Sequence, residues 1–155
     1  MKTVRDALPP EILEGATQRG HEYGWKLAAF PDVLRKAEAL GYACVGGQFQ
    51  ACWSDGSVCE MYWLNADSRE RAAGESWSDY SRRSCQEVSR GFQRLMARTD
   101  FAKEVASWRG DLKAELARGL DATSILMFVA YFISEAEADR LSAKPEPKPL
   151  TRIDL

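Results

Sequence analysis

The chain has 155 residues, a formal net charge of −2, and 45% hydrophobic against 28% charged residues. A chain of this length buries roughly 69% of its unfolded surface, enough for a core without metals or disulfides, and the composition excludes disordered and fibrous classes. So small a net charge also lacks the broad positive field of a dedicated nucleic-acid binder, so no nucleic-acid partner is expected.

The opening MKTVRDALPP puts Asp6, Pro9 and Pro10 where a secretory signal needs an apolar stretch, so a cytoplasmic location is expected. From Pro10 to Ala29, the positions of Ile12, Leu13, Ala16, Tyr23 and Leu27 predict a helix broken near Gly20 to Gly24. Pro31 then opens a helix over 31–40, with Val33, Leu34, Ala37 and Leu40 as its apolar stripe and Gly41 as its stop.

YACVGGQFQACW, SDGS and VCEMYWL read as a β-hairpin over 42–64, two aromatic, β-prone runs around an Asp-Gly turn. A two-residue Asp55-Gly56 loop sets Cys52 opposite Cys59, Ala51 opposite Glu60 and Phe49 opposite Tyr62. Strand alternation then turns Val45, Phe49, Trp53, Val58, Tyr62 and Leu64 toward the core and Gln48, Gln50, Met61 and Trp63 outward. Glu60 falls on the apolar face in this register, where a carboxylate needs a partner or an edge position.

After a polar stretch, Ser76 with Asp79 caps a long helix over 76–98, in which Cys85, Val88, Phe92, Leu95 and Met96 form the apolar arc. Arg82, Arg83, Arg90, Arg94 and Arg98 gather on the opposite arc, either as an anion-gripping face or as a solvated one paired locally with Asp79 and Glu87. Phe101, Val105, Trp108, Leu112 and Leu116 continue the periodicity as a helix over 100–118. The nine-residue run Ile125 to Ile133 is too short to cross a bilayer, so no membrane partner is expected; its β-branched and aromatic content reads as a strand buried on both faces. Ser134 and Glu137 start a short helix, and the proline-rich 143–155 reads as an extended or mobile tail.

The fold class expected is therefore α+β: one domain over 1–142, with a three-stranded sheet made of hairpin 42–64 and strand 125–133, packed against several helices. Cys44, Cys52, Cys59 and Cys85 lack metal-ligand spacing, and His21 is the one imidazole, so free structural thiols and no metal or cofactor are expected. No Gly-rich loop opens a helix after a strand, which leaves nucleotide binding unsupported. Residues 54–75 carry net −3 and residues 76–119 net +3. The acidic stretch surrounds Met61, Tyr62 and Trp63, a composition suited to an interaction surface.

At GYACVGGQFQACWSDGSVCEMYWLNAD followed by GESW, across roughly residues 41–95, the chain resembles small cytoplasmic immunity proteins encoded beside bacterial polymorphic or type VI secreted toxins. The resemblance implies a non-enzymatic protein that neutralises a cognate toxin by direct binding, and it brings no catalytic motif. Partner-binding residues expected on the outer hairpin face and the acidic loop are Gln48, Gln50, Glu60, Met61, Trp63, Asp67, Glu70 and Glu75. Two other readings remain open: a small-ligand binder or enzyme with a cleft between hairpin and helices that uses Glu60, Tyr62 and an arginine, and a cargo adaptor or chaperone of a secreted protein.

Overall fold

Alternation and capping set the elements, and long-range pairing sets their order. The computed structural model describes residues 7–142. In chain order these form α1 (Pro10–Leu13), β1 (Thr17–Arg19), β2 (Glu22–Lys26), α2 (Phe30–Ala39), β3 (Ala43–Cys52) and β4 (Val58–Asp67). There follow α3 (Trp77–Arg98), α4 (Phe101–Trp108), a 3-10 turn at Gly110–Leu112, α5 (Lys113–Ala117), a second 3-10 turn at Ala122–Ile125, β5 (Leu126–Ile133) and α6 (Glu135–Ser142). The fold is α+β, with an antiparallel sheet of order β1-β2-β5-β3-β4.

The sheet thus has five strands where three were expected. The two additional strands come from the segment read as a broken helix: β1 and β2 pair through a two-residue turn at Gly20-His21, with Arg19 opposite Glu22. Tyr23, Trp25 and Leu27 alternate with Glu22, Gly24 and Lys26, a strand signal that the scattered helical spacing obscured. The Trp25 indole N–H donates to the Ile12 carbonyl at 3.0 Å, which holds the short α1 against this hairpin. The apolar run 125–133 is a strand as expected, placed centrally between β2 and β3.

The β3–β4 turn is one residue longer than the two-residue loop assumed. Cys52 pairs with Val58, Ala51 with Cys59 and Gln50 with Glu60. The Gly56 N–H closes a turn on the Trp53 carbonyl at 2.9 Å, and Gly56 has φ of +89°, matching a three-residue hairpin that ends in a left-handed glycine. Cys52 and Cys59 therefore lie on opposite faces, not opposite each other, and all four cysteines are free. A second irregularity follows, since Phe49 pairs with Met61 but Gln48 pairs with Asn65, so Tyr62, Trp63 and Leu64 bulge out of the ladder.

One face of the sheet carries the core. Trp25, Phe49, Ala51, Met61, Leu64, Ala66, Leu126, Phe128, Ala130 and Phe132 pack with Phe30, Val33, Leu34 and Ala37 of α2, Cys85, Val88 and Phe92 of α3, and Phe101 and Val105 of α4. Its centre is aromatic: Phe128 lies 4.5 Å from Phe30 and 5.2 Å from both Phe49 and Phe92 between ring centroids. Backbone of β3 comes close to this cluster at Gly47, where a Cβ would sit 2.1 Å from the Val129 carbonyl oxygen and 2.6 Å from the Phe128 ring. Residues in the main core cluster run from Ile12 to Phe132, while the tail expected at 143–155 lies outside the described residues.

The α3 helix begins as its sequence suggests, with the Ser76 hydroxyl accepting from the Asp79 N–H at 3.1 Å. Met96, read as core, is exposed. The helix expected over 100–118 breaks after Trp108. Arg109 takes an extended conformation (φ −129°, ψ 91°), and its guanidinium donates to Asp111 while also reaching Asp55 and Ser57 at the hairpin tip at 2.8 Å each. The apolar stripe survives the break, since Leu112 is buried and Trp108 and Leu116 pack against the core.

Candidate functional site

Strand β4 is an edge of the sheet, paired with β3 alone, and its bulge decides where its side chains go. Before the bulge, Met61 enters the core and is fully buried, so the expected outward-facing Met61 is corrected: the one-residue shift in the turn exchanged the faces. The same shift brings Val58 and Tyr62, expected inside, to the surface, while Val45, also expected inside, is exposed at a separate irregularity of the β3–β5 ladder between Cys44 and Gly46. It places Glu60 beside Gln50 on the sheet face away from the helices, where the Gln50 amide donates to Glu60 Oε1 at 3.2 Å and the Tyr62 hydroxyl donates to Glu60 Oε2. That carboxylate pushes the Tyr62 phenol above its ordinary pKa.

Trp63, the next residue, turns to the helix side, where its indole N–H donates to Glu104 of α4 at 3.0 Å. It therefore shares the helix side with Met61 and not a face with Gln48 and Gln50 as expected, because the one-residue shift in the turn exchanged the faces of β4 up to this point. Tyr62 and Trp63 consequently straddle the sheet edge, and at 63% and 58% exposure they are the two most exposed large hydrophobic side chains among the described residues. Gln48 and Gln50 are on the outer face but only 7% and 3% exposed; Gln48 donates to the Tyr131 hydroxyl at 3.3 Å. Gln50 is bonded to Glu60, so both glutamine side chains are largely covered on this face.

The acidic residues divide into two groups. Asp67 and Glu70 are exposed and, with Glu60 and Glu104, make no ion pair among the described residues. Glu75, expected to steer a partner, instead belongs to the framework. Arg83 bridges it at 2.8 Å and also bonds Glu87, and the same guanidinium reaches the carbonyls of Arg69 and Glu70. Hydrogen bonds from Arg83 lower the Glu75 carboxyl to about 2. For Glu87 burial opposes ionisation, but hydrogen bonds from Arg69 and Arg83 outweigh it and leave the carboxyl below its usual range. This network ties loop 68–76 to α3, fixing the acidic segment beside the β4 edge.

The candidate site thus consists of two adjacent exposed aromatic side chains on an edge strand, bonded to the carboxylates of Glu60 and Glu104, with exposed Asp67 and Glu70 further along the chain at the end of β4 and in the loop after it. Sequence reasoning turned Tyr62 toward the core because of the turn register and named it only for the cleft reading, and it had no signal for Glu104, which reaches the site only through the tertiary packing of α4. Among the described residues, no group of His, Cys, Asp and Glu is arranged to hold a metal ion, and no helix is long and apolar enough to cross a membrane. Compared with protein-family models, curated proteins and solved structures, the chain matches none of them.

Proposed function

We propose that this protein neutralises a cognate bacterial toxin by binding it at the β4 edge, without enzymatic activity of its own. The observation that carries the reading is the adjacency of Tyr62 and Trp63: the two most exposed large hydrophobic side chains among the described residues straddle one strand edge, each hydrogen-bonded to a carboxylate. Hot spots of protein interfaces are enriched in Tyr and Trp surrounded by polar residues that exclude water. Carboxylates that make no ion pair favour a basic partner surface, because such charges steer encounter. The resemblance of residues 41–95 to immunity proteins supplies the class of partner.

The test is surface-binding kinetics against the product of the adjacent gene. Trp63→Ala and Tyr62→Ala should each weaken affinity by about thirtyfold, equivalent to about 2 kcal/mol, with thermal stability close to the parent because both side chains are exposed. Charge reversal at Asp67 and Glu70 should slow association more than it speeds dissociation. Wild-type affinity in both alanine variants would move the interface away from β4, and absence of binding would overturn the toxin-neutralising reading.

A further inference from the structure

The exposed face of α3 carries a second surface, opposite in charge to the β4 edge. Arg82, Arg90, Arg94 and Arg98 are all exposed, and none makes an ion pair or side-chain hydrogen bond among the described residues. Local pairing, the alternative expected for this arc, occurs only at Arg83, which bonds Glu87 one turn on. Glu87, within a turn of Arg90, is turned toward Arg83 and Arg69 by the network that holds loop 68–76. From residue 88 to residue 99 the helix contains no carboxylate at all.

Helix electrostatics explain only part of this row. A cation in the last turn is stabilised by the carbonyl end of the helix, which accounts for Arg98, but the effect fades within one turn and leaves Arg90 and Arg94 without a reason. Arg90, Arg94 and Arg98 lie at successive i, i+4 positions, so their Cα atoms rise about 6 Å per step. Every cation of α3 is arginine, the side chain whose planar fork binds carboxylates in bidentate fashion. The row is also bounded: exposed Asp79 stands at one end, and Asp100 and Glu104 at the other. A polyanion with a continuous phosphate backbone would run into those carboxylates, whereas a finite segment with acidic groups one helical turn apart would not.

We infer that the row Arg90, Arg94 and Arg98 on α3, from which Arg82 is rotated away by about 80° or more, docks an acidic helical segment of a partner protein, its carboxylates in register with these arginines. The contact is electrostatic and peripheral to any apolar anchor, so its strength falls as salt rises.

Fluorescence anisotropy tests this with a labelled, roughly 20-residue alanine-rich peptide carrying Glu at every fourth position, a length that sustains helix in water. The parent protein should bind it. The double variant Arg90→Glu/Arg94→Glu should bind about tenfold more weakly, as expected for losing two exposed pairs and gaining repulsion. The double variant Arg35→Glu/Arg118→Glu alters net charge equally at arginines already paired with Asp32 and Glu115, and should bind like the parent. Circular dichroism checks that both variants keep their helices. No binding by the parent, or equal losses in the two variants, overturns the proposal; so does tighter binding to an oligothymidine of about twelve nucleotides, which would assign the row to nucleic acid. Because the probe is a peptide and the variants leave β4 intact, failure here is independent of the result at Trp63.

Discussion

Replacing Gly47 by alanine should be among the costliest single-methyl changes in this protein. The added Cβ would lie 2.1 Å from the Val129 carbonyl oxygen and 3.0 Å from the Ala130 Cα, where an ordinary contact is 3.4–4 Å. Neither neighbour is a flexible side chain, so strands β3 and β5 must separate by about an ångström, at the point where Gly47 pairs with Ala130. On the core side the methyl also meets the Phe128 ring, which is hemmed in by Phe30, Phe49 and Phe92. Overpacking a core costs about 1–3 kcal/mol, and weakening two ladder hydrogen bonds adds about 1 kcal/mol each, so a loss of about 3–5 kcal/mol is expected. For a domain of this size that lowers the melting temperature by roughly 10 °C while leaving the protein folded. Urea unfolding monitored by tryptophan fluorescence measures it. The second variant, Gly47→Ala/Phe128→Leu, relieves the ring contact but not the carbonyl contact, and should not regain parental stability. A loss below about 1 kcal/mol in Gly47→Ala would refute the argument that close strand approach dictates glycine here.

Two further outcomes are expected. Burial raises the thiols of Cys44 and Cys85, the latter to about 12, so a thiol reagent at mildly alkaline pH should label them only after denaturant is added, while the half-exposed Cys52 and Cys59 react first; tandem mass spectrometry, whose fragment ions separate Cys44 from Cys52 and Cys59 within the tryptic peptide 37–69, distinguishes them. The Asp55 carboxyl, held by Ser57 and then Arg109, and the Glu75 carboxyl, held by Arg83, both sit at about 2 in the folded protein, below their ordinary values of about 4. Their stabilisation is complete above the unfolded value and lost as pH falls from about 4 toward 2, so the melting temperature should drop across that window, and Arg83→Gln should flatten the drop.

Local chemistry made several elements legible. Pro31 and Gly41 bracket α2, Ser76 caps α3, and the β-branched, aromatic content of 126–133 marks β5. Gln48 and Gln50 are on the expected strand and face, whereas Glu60 and Trp63 are on the expected strand but their faces depended on one loop residue. Asp55-Gly56 suits both a two-residue and a three-residue turn, because either places glycine at a left-handed position, and alternation then carries a one-residue error along the whole strand. The bulge at 62–64 is invisible to a period of two. The β1–β2 hairpin was hidden for another reason: three residues of β1 bury none of their side chains, so Thr17–Arg19 carries no hydrophobic pattern. Arg109 breaks the 100–118 helix through contacts with Asp55 and Ser57, more than fifty positions away, which no local window contains.

The sheet order has a consequence for synthesis. Strands β2 and β3 are not neighbours; the last strand in sequence, β5, lies between them and supplies the main core with Leu126, Phe128, Ala130 and Phe132. During translation, therefore, the two earlier hairpins leave the ribosome with their inner edges unpaired and their apolar faces half-covered, and the five-stranded sheet cannot close before residue 133 emerges. Nascent chains stalled short of that point should be open to proteases and recruit holdase chaperones, whereas chains extended beyond it collapse in one step, so folding waits for β5 despite the two early, locally paired hairpins.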